Sequence, residues 1–349
     1  MKAETLSFVV SMGEPIDGLK LAKGQFARTF LGGGVFTQAH LQEVDFRESD
    51  LRESVFDQCT LDGAMFAGAN LRRAVFNRCK LDHADFRGAN LHGATFSECQ
   101  LPHAQFAQAW LGMATVSRCK LDHASLAGAD LESATLTESS LLDVNADDTH
   151  WKHTTVLQCN LAQLTWARAR MTRSSFIKSA MRGQSFAGLV LEGCQFSSAD
   201  LTGAGFGGAS IQQCNFQGAL IAGADFSRAS GVQALFCEAQ GERANFTGAK
   251  LRQSLFTAGQ FQGACFDEAD LYQCHFANAR LAGASMAGAE LAYADFRHAD
   301  LTGADLRRAT LLRACLHGSA TENARMTDRG RALETDPELA KAERWAVAG

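Results

Sequence analysis

Apolar residues recur at every fifth position along nearly the whole chain. The series runs from Ile16 to Met326 without insertion or deletion, and 60 of its 63 positions, here called centres, are apolar. The residue two places before a centre is almost always small, most often alanine. A period of five fits neither the 3.6 residues of a helical turn nor the two-residue repeat of a strand. It predicts an extended step that buries one large and one small side chain and then turns a corner.

Glycine and cysteine define the corners and the length of one coil. Of the 32 glycines, 20 lie two residues after a centre, where the lack of a Cβ makes a tight turn easy. Cys59, Cys79, Cys99 and Cys119 recur every 20 residues, and 21 of the 22 phenylalanines at centres fall into two opposite classes of that period. Four sides per coil, stacked in register, predict an all-β solenoid with inner columns of Phe and Leu.

Short motifs identify the repeat. Ala-Asn-Leu at 69–71 and 89–91, and Ala-Asp-Phe at 84–86, each followed by two variable residues, resemble the repeat of the pentapeptide-repeat family. The resemblance covers about nine tenths of the chain. It implies a right-handed quadrilateral β-helix and a family with few or no enzymes. With coils stacked at roughly 4.8 Å, about 16 coils would make a rod of roughly 75 Å.

The resemblance and the pattern together divide the chain into three segments. These are an N-terminal cap at residues 1–13, the repeat β-helix at 14–328, and a C-terminal helical cap or dimerisation segment at 329–349. Both ends of a solenoid need a cover, because each exposes a sheet edge and part of the core. Residues Leu6 to Val10 are β-prone and are predicted to lie across the first coil.

The C-terminal segment reads as a helix. Thr335 is predicted as its N-cap, with Pro337 in the first turn and Glu338 completing a capping box. An apolar stripe follows, in which the candidate dimerisation residues are Leu339, Ala342 and Trp345. The helix either folds onto its own last coil or forms a homodimer, as the resemblance to DNA-mimicking members of the family implies.

Charge and cysteine content exclude several classes without naming a partner. With 38 acidic and 33 basic residues, the net charge of −5 is too small to indicate a polyanion-binding protein or a strong nucleic-acid mimic. The 11 cysteines lack the paired short spacings of a zinc site and are expected to be reduced thiols. No apolar stretch reaches about 18 residues. We expect a cytoplasmic protein that contacts neither membrane nor nucleic acid directly.

Two places interrupt the regular pattern. Between 143 and 166 small and large centres alternate, with Ala146 beside Trp151 and Trp166, which predicts a bend or a change of cross-section. Gly231 and Gly241 remove large side chains from the Leu faces. A void there would cost stability unless neighbours such as Leu235 tilt inward.

One corner carries histidines on three consecutive coils. His83, His103 and His123, here called the histidine ladder, should stack roughly 5 Å apart. The neighbouring cysteines point inward and the histidines outward, so the two sets cannot converge on one ion. The ladder is either simply solvated or a metal patch, and no metal site is assigned. Because no catalytic constellation or cofactor motif is found, we expect neither a cofactor nor an enzyme.

One face of the predicted coil is uncharged, and we call it the neutral strip. It consists of the outward residues that flank every twentieth centre from Phe76 to Phe276. Its members are Val75, Asn77, Thr95, Ser97, Thr115, Ser117, Thr135, Thr137, Thr155, Leu157, Ser175, Ile177, Gln195, Ser197, Asn215, Gln217, Leu235, Cys237, Leu255, Thr257, His275 and Ala277. A strip of this kind is either a docking surface or a set of residues that stack well in register.

The neutral strip favours a protein–protein scaffold or adaptor. The candidate partner-binding residues are its apolar members, Leu157, Ile177, Leu235 and Leu255. The resemblance extends weakly to family members associated with type VI secretion, which would make the chain an accessory or effector-handling protein. The alternative is a DNA mimic that binds a type II topoisomerase (gyrase), as the quinolone-resistance branch does. The composition of residues 61–120 argues against mimicry, because this segment contains four acidic and seven basic residues.

Overall fold

The computed structural model describes residues 1–347 in two compact units, the first ending at Ala180 and the second beginning at Met181. In each unit the chain coils with a period of twenty residues. Paired residues lie twenty positions apart, in parallel, as Phe36 beside Phe56 and Asn215 beside Leu235, except at the end of the coils, where Cys315 pairs with Leu333. This is the spacing that the cysteine and phenylalanine pattern predicts.

The first unit contains most of the regular secondary structure. Helix α1, Ala3–Ser11, precedes the coils. A nine-stranded parallel sheet consists of β1 Ile16–Asp17, β2 Val35–Thr37, β3 Val55–Asp57, β4 Val75–Asn77, β5 Thr95–Ser97, β6 Thr115–Ser117, β7 Thr135–Thr137, β9 Thr155–Leu157 and β11 Ser175–Ile177. On another side, β8 (His150–Lys152) pairs with β10 (Arg170–Thr172). The remaining sides pair through single bridges.

The second unit is built mainly from such single bridges. Its two short strands, β12 (Asp305–Leu306) and β13 (Arg325–Met326), pair in parallel. A 3₁₀ helix at Arg329–Arg331 and helix α2 at Pro337–Val347 follow. Backbone pairing continues to Leu333, which exchanges hydrogen bonds with the preceding coil through Ala314 and Leu316.

The core of each unit is a pair of aromatic columns. In the second unit Phe206 stacks on Phe226 with ring centroids 4.6 Å apart and an interplanar angle of 3°. Across the coil Phe206 meets Phe216 edge to face, at 5.5 Å and 89°. Edge-to-face contact across the core is a favourable arrangement of the aromatic quadrupole, and the parallel rings along each column bury large apolar areas against one another. The preference for Phe at these centres therefore has a geometric cause.

Each corner is a tight turn that uses the left-handed backbone region. At one such turn Ala84 N–H donates to Leu81 O at 3.1 Å, and the second of the two residues between them, His83, has φ of 56°. Glycine adopts this conformation readily, as Gly88 does with φ of 62°. Arg, Gln, Glu and His also adopt it here, so the corner tolerates many side chains and points them outward.

The expected void around the glycine centres is already filled, and not by Leu235. A Cβ on Gly231 would lie 2.5 Å from Ile211 Cγ1, and one on Gly241 would lie 2.5 Å from Phe261 Cε1. Phe261 is the one centre phenylalanine outside the two Phe columns. Gly259 also makes room for it, since a Cβ there would lie 2.3 Å from the Phe261 ring. The large side chain of Phe261 therefore fills the space that the missing side chain of Gly241 leaves.

The N-terminal prediction of a strand is wrong, because residues Ala3–Ser11 form a helix. Leu6 and Val10, one helical turn apart, are the buried residues of this helix. A Cβ on Gly34 would be 3.2 Å from Val10 Cγ2, and Ser7 Oγ donates to Phe30 O at 2.8 Å. Burial of one helical stripe against the first coils outweighs the weak β-propensity of the run.

The C-terminal helix is present, but its N-cap is Asp336 and not Thr335. Asp336 Oδ1 accepts hydrogen bonds from the N–H groups of Glu338 and Leu339, at 2.9 and 3.1 Å. Thr335 Oγ1 instead accepts from Gly318 N–H at 3.1 Å. Pro337 is the first helical residue, as predicted. The shift by one residue places Glu338 at the second position, where it does not form the expected capping box.

The irregular segment at 143–166 keeps the coil register. Asn145 pairs with Thr165, and β8 forms around the buried Trp151. The indole Nε1–H of Trp151 donates to Thr149 Oγ1 at 2.7 Å, which satisfies the polar atom of a fully buried ring. Ala146 and Trp166 are both buried in one column, so a small and a large side chain succeed one another there.

Candidate functional site

The neutral strip of the first unit lies on the nine-stranded parallel sheet. Its outward residues from Val75 to Ile177 flank the buried centres of β4, β5, β6, β7, β9 and β11, and every one of them is half-buried. Leu157 pairs with Ile177 in register, and Thr137 pairs with Leu157. The two predicted apolar residues of this unit are therefore direct neighbours, on the side that carries the longest run of regular strands.

A row of corner residues borders this part of the neutral strip. Arg118 Nη2 lies 3.0 Å from Glu98 Oε1, and both side chains are exposed. The row consists of Arg78, Glu98, Arg118, Glu138, Gln158 and Lys178, all of them exposed. An uncharged centre with a charged, solvated edge is the general composition of protein interfaces.

The neutral strip of the second unit is similar in composition but is built from single bridges. Leu235 pairs with Leu255, and Leu255 with His275. Both leucines are half-buried, whereas His275 is exposed and lies 3.7 Å from Asp295. The sequence places the four apolar candidates on the outward side correctly, but it does not indicate that neighbouring side chains cover part of each one.

The histidine ladder forms as predicted. The ring centroids of His83 and His103 are 4.7 Å apart and those of His103 and His123 are 5.2 Å apart, each pair with an interplanar angle of 12°. The three residues are exposed, while Cys79, Cys99 and the other cysteines of that period are buried. His123 Nδ1 lies 3.1 Å from Asp143 Oδ2.

The buried cysteines also donate hydrogen bonds, which their spacing in the sequence does not reveal. Cys79 Sγ donates to Phe56 O at 3.2 Å, a carbonyl 23 residues earlier. Thr154 Oγ1 and Ser254 Oγ make the same contact in other coils, with Leu131 O and Gly231 O. Cysteine therefore replaces Ser or Thr as a donor to a buried carbonyl. Burial raises the pKa of the Cys159 thiol to about 11, as expected of an unreactive thiol.

Helix α2 is fastened to the preceding coil through one glutamate. Glu343 accepts hydrogen bonds from His317 Nε2 at 3.1 Å and His298 Nε2 at 3.3 Å. Of the predicted dimerisation residues, Leu339 and Ala342 are exposed, Leu339 by 45%. The side chain of Trp345 lies outside the described part of the helix. Neither helix in residues 1–347 is long and apolar enough to cross a membrane.

In the described part of the chain, five aspartates are paired with an arginine two residues later. Arg87 donates to both carboxylate oxygens of Asp85, at 2.9 and 2.7 Å, and Arg47 does the same to Asp45. The Arg47 side chain lowers the pKa of Asp45. The signal was present in the sequence as Asp-Phe-Arg and Asp-Leu-Arg triplets at 45–47, 50–52, 85–87, 295–297 and 305–307. These acids do not present free phosphate-like charge.

Comparison with known families gives matches over more than half of the chain. A family model described as a pentapeptide repeat region matches residues 18–86 and 50–126. A second, described as pentapeptide repeats (8 copies), matches 117–150, 185–218, 219–257, 264–303 and 289–328. A comparison with curated proteins found no match.

Several solved structures are similar to this chain. One is a trypsin-treated form of QnrB1, a plasmid-mediated fluoroquinolone resistance protein, with 21% identity, 52% of this chain and 90% of that chain covered, and a TM-score of 0.48. Another is HetL, a pentapeptide repeat protein involved in heterocyst differentiation regulation from the cyanobacterium Nostoc sp. strain PCC 7120. It has 19% identity, covers 95% of this chain and 94% of its own, and has a TM-score of 0.15.

Proposed function

Because the chain belongs to the pentapeptide-repeat family, we propose that it is a non-enzymatic scaffold that binds a protein partner on the neutral strip. The observation that carries this proposal is an uncharged sheet face with a charged row beside it. Accessory or effector-handling work in type VI secretion would be one concrete form of this function, and it stays a prediction.

The interior of the coils leaves binding to the outer surface. The void lined by Phe96, Val116 and Leu136 in the first unit has a volume of about 10 Å³. This is room for one water molecule at most, and a drug-sized ligand needs a few hundred Å³. The void arises where the Phe column changes to Val and Leu, so it is a packing defect and not a substrate pocket.

The neutral strip has properties that favour docking. Its members in the first unit are short, mostly Thr and Ser, and are held in register by parallel strands. Little side-chain entropy would be lost on binding, because these side chains are small and already half-buried. Leu157 and Ile177 provide adjacent apolar surface at one end of the strip in this unit. We infer that the partner contacts this apolar pair.

The alternative function, a DNA mimic that binds gyrase, is less well supported by the surface. A mimic needs carboxylates that are free of local cations. Asp45, Asp50 and Asp85 each carry a bidentate arginine instead. The neutral strip also lacks the negative charge that a DNA-binding surface would recognise.

A double charge substitution tests the scaffold proposal. The variant Ile177→Lys with Leu235→Glu places charges on the neutral strip of both units. A matched control, Thr165→Lys with Gln260→Glu, adds the same charges at outward positions on other faces. Each protein is used to recover partners from the native host, and the recovered protein is then purified and its affinity measured directly.

We expect the strip variant to abolish binding of the purified partner, because an unpaired charge buried in an interface is costly. The control should bind as the natural chain does. Both variants should melt within a few degrees of it, since surface changes usually cost under about 0.5 kcal/mol each. Unchanged affinity of the strip variant would show that the strip only stabilises the coil. Loss of binding in the control alone would show that the partner binds a different face.

A further inference from the structure

We propose that the corner formed by Asp82, His83 and His103 binds a divalent transition-metal ion such as Zn²⁺. Two consecutive coils bring the imidazoles of His83 and His103 face to face, with ring centroids 4.7 Å apart. Asp82 Oδ1 lies 3.7 Å from His83 Nε2. One ligand atom from each of the three residues lies within 4.8 Å of the others.

An unpartnered carboxylate oxygen distinguishes this corner from its neighbours. Asp62, one coil earlier, accepts a hydrogen bond on Oδ1 from Asp82 N–H at 3.1 Å. Asp122, two coils later, accepts one from Leu142 N–H at 3.1 Å. The corresponding donor for Asp82 would be the backbone N–H of residue 102.

Residue 102 is proline, so this donor does not exist. Asp82 Oδ1 is consequently a buried oxygen without a hydrogen-bond partner. The Asp82 side chain as a whole is 46% exposed, but this oxygen is shielded and has no donor, and an ion bound beside it would satisfy it. The carboxylate that lacks its usual partner is the one that lies beside two histidines.

The ligand types and the freedom of the side chains suit zinc. Imidazole nitrogen and carboxylate oxygen bind Zn²⁺ at about 2.0–2.2 Å, which places ligand atoms of a tetrahedral site about 3.3 Å apart. In the stacked arrangement the in-plane lone pairs of the two rings do not converge, so one ring must turn out of the stack to ligate. The His83 side chain is 69% exposed and is free to do so. Water would complete the coordination. His123 is not required, because its Nδ1 is already beside Asp143.

A second cluster of similar composition is excluded by its hydrogen bonds. His298, His317 and Glu343 also bring ligand atoms together. His317 Nδ1, however, accepts the backbone N–H of Asp336 at 3.1 Å, so the proton of the neutral ring resides on Nε2. That Nε2–H donates to Glu343 and has no lone pair for a metal. The cluster therefore fastens helix α2 and serves as a control.

The test measures Zn²⁺ binding to the purified, reduced full-length chain by competition with a chromophoric chelator. We expect one ion per chain, with an affinity at least about tenfold lower in His103→Gln and in Asp82→Asn. His298→Gln and the exposed-corner control His153→Gln should bind as the natural chain does. Co²⁺ in place of Zn²⁺ should give ligand-field bands without a thiolate charge-transfer band. Acidification should weaken binding, because a protonated imidazole cannot ligate.

Pro102→Ala provides the sharpest comparison, because it changes no ligand. This substitution restores the N–H that can satisfy Asp82 Oδ1, so Zn²⁺ binding should weaken while the melting temperature in the absence of metal rises. Affinities within twofold of the natural chain in both His103→Gln and Asp82→Asn would overturn the proposal. So would loss of the ion in His298→Gln alone, or a cobalt spectrum dominated by thiolate. Thermal melting of each variant confirms that it is folded.

Discussion

At the scale of single residues, an inward position must hold an apolar side chain that fills the core. An outward position accepts many side chains, because it is open to solvent. Phe206 is fully buried between Phe186 and Phe226 in its column, whereas Gln217 is exposed. The two positions are eleven residues apart on the same unit, yet their environments are opposite. The five-residue phase alone assigns these environments.

Truncation of one ring in the Phe column should be costly. Phe206→Ala removes two stacking contacts and leaves a cavity, so we expect a loss of roughly 3–5 kcal/mol and a clearly lower melting temperature. Gln217→Ala should change the melting temperature little. Thermal unfolding followed by circular dichroism measures both variants. Equal sensitivity would mean that the inward and outward assignment is wrong.

The Asp–Arg pairs predict how stability depends on pH. Arg307 donates to both carboxylate oxygens of Asp305 and holds the pKa of that carboxyl at about 2, below its ordinary 3.8. A group whose pKa is lowered by folding adds stability above its ordinary value, and this stability is lost as the pH falls from about 4 to about 2. Asp305→Asn should lower the melting temperature at pH 7 and not at pH 2.

Glu322→Gln, which alters an exposed acid in the same unit, serves as the control for this experiment. Melting temperatures of the three proteins are compared at pH 7, 4 and 2. A constant difference between Asp305→Asn and the natural chain at all three values would contradict the pH argument. The contribution of the pair would then be independent of its ionisation.

At the scale of the coil, neighbouring sides adapt to one another. Gly241 and Gly259 both give space to Phe261, a ring too large for a Leu face. This packing couples residues that lie twenty positions apart in sequence. Neither the glycines nor the phenylalanine would be accommodated if the others were ordinary members of the pattern.

A double-substitution experiment measures this coupling. Gly241→Leu alone should clash with the ring and destabilise the second unit by roughly 1–3 kcal/mol. Phe261→Leu alone should leave a cavity and lower the melting temperature as well. The combination restores the regular Leu column, so its loss should be smaller than the sum of the two. Additive losses would show that Gly241 and Phe261 are not energetically coupled.

The sequence predicts the coil and most of its contents, but it predicts the ends and the polar details less well. A strict period fixes inward and outward sides, and this suffices to place Leu157, Ile177 and the histidine ladder. The helix at Ala3–Ser11 was missed because the apolar spacing of Leu6 and Val10 is compatible with two structures. The unsatisfied Asp82 was missed because its cause, Pro102, is distant in sequence and adjacent only once the coils are stacked.

At the scale of the whole molecule, the distribution of charge predicts the outcome of a gyrase assay. We expect micromolar concentrations of the protein to leave supercoiling unchanged, because acids such as Asp50 and Asp85 are paired with nearby arginines and the net charge is small. DNA mimicry depends on charge and should be sensitive to salt. Inhibition that weakens as salt is raised would reverse the ranking of the two proposed functions.

Oligomeric state tests the role of helix α2. Since Glu343 binds His298 and His317 of the same chain, we expect the helix to cover its own coil. Leu339→Glu should therefore leave the mass in solution unchanged, whereas Glu343→Ala should speed hydrogen exchange in residues 337–347. Light scattering and exchange mass spectrometry provide the two measurements. A dimer that Leu339→Glu converts to monomer would establish the helix as a dimerisation element.

The twenty-residue register also restricts how such a gene can change length. Within a unit, unequal crossing-over that adds or removes one whole coil leaves Phe above Phe and every turn above a turn. A change of five residues would rotate all later sides by one face and place Phe against Leu columns. Natural changes in length should therefore add or remove whole coils, so related chains should differ in length by multiples of twenty residues.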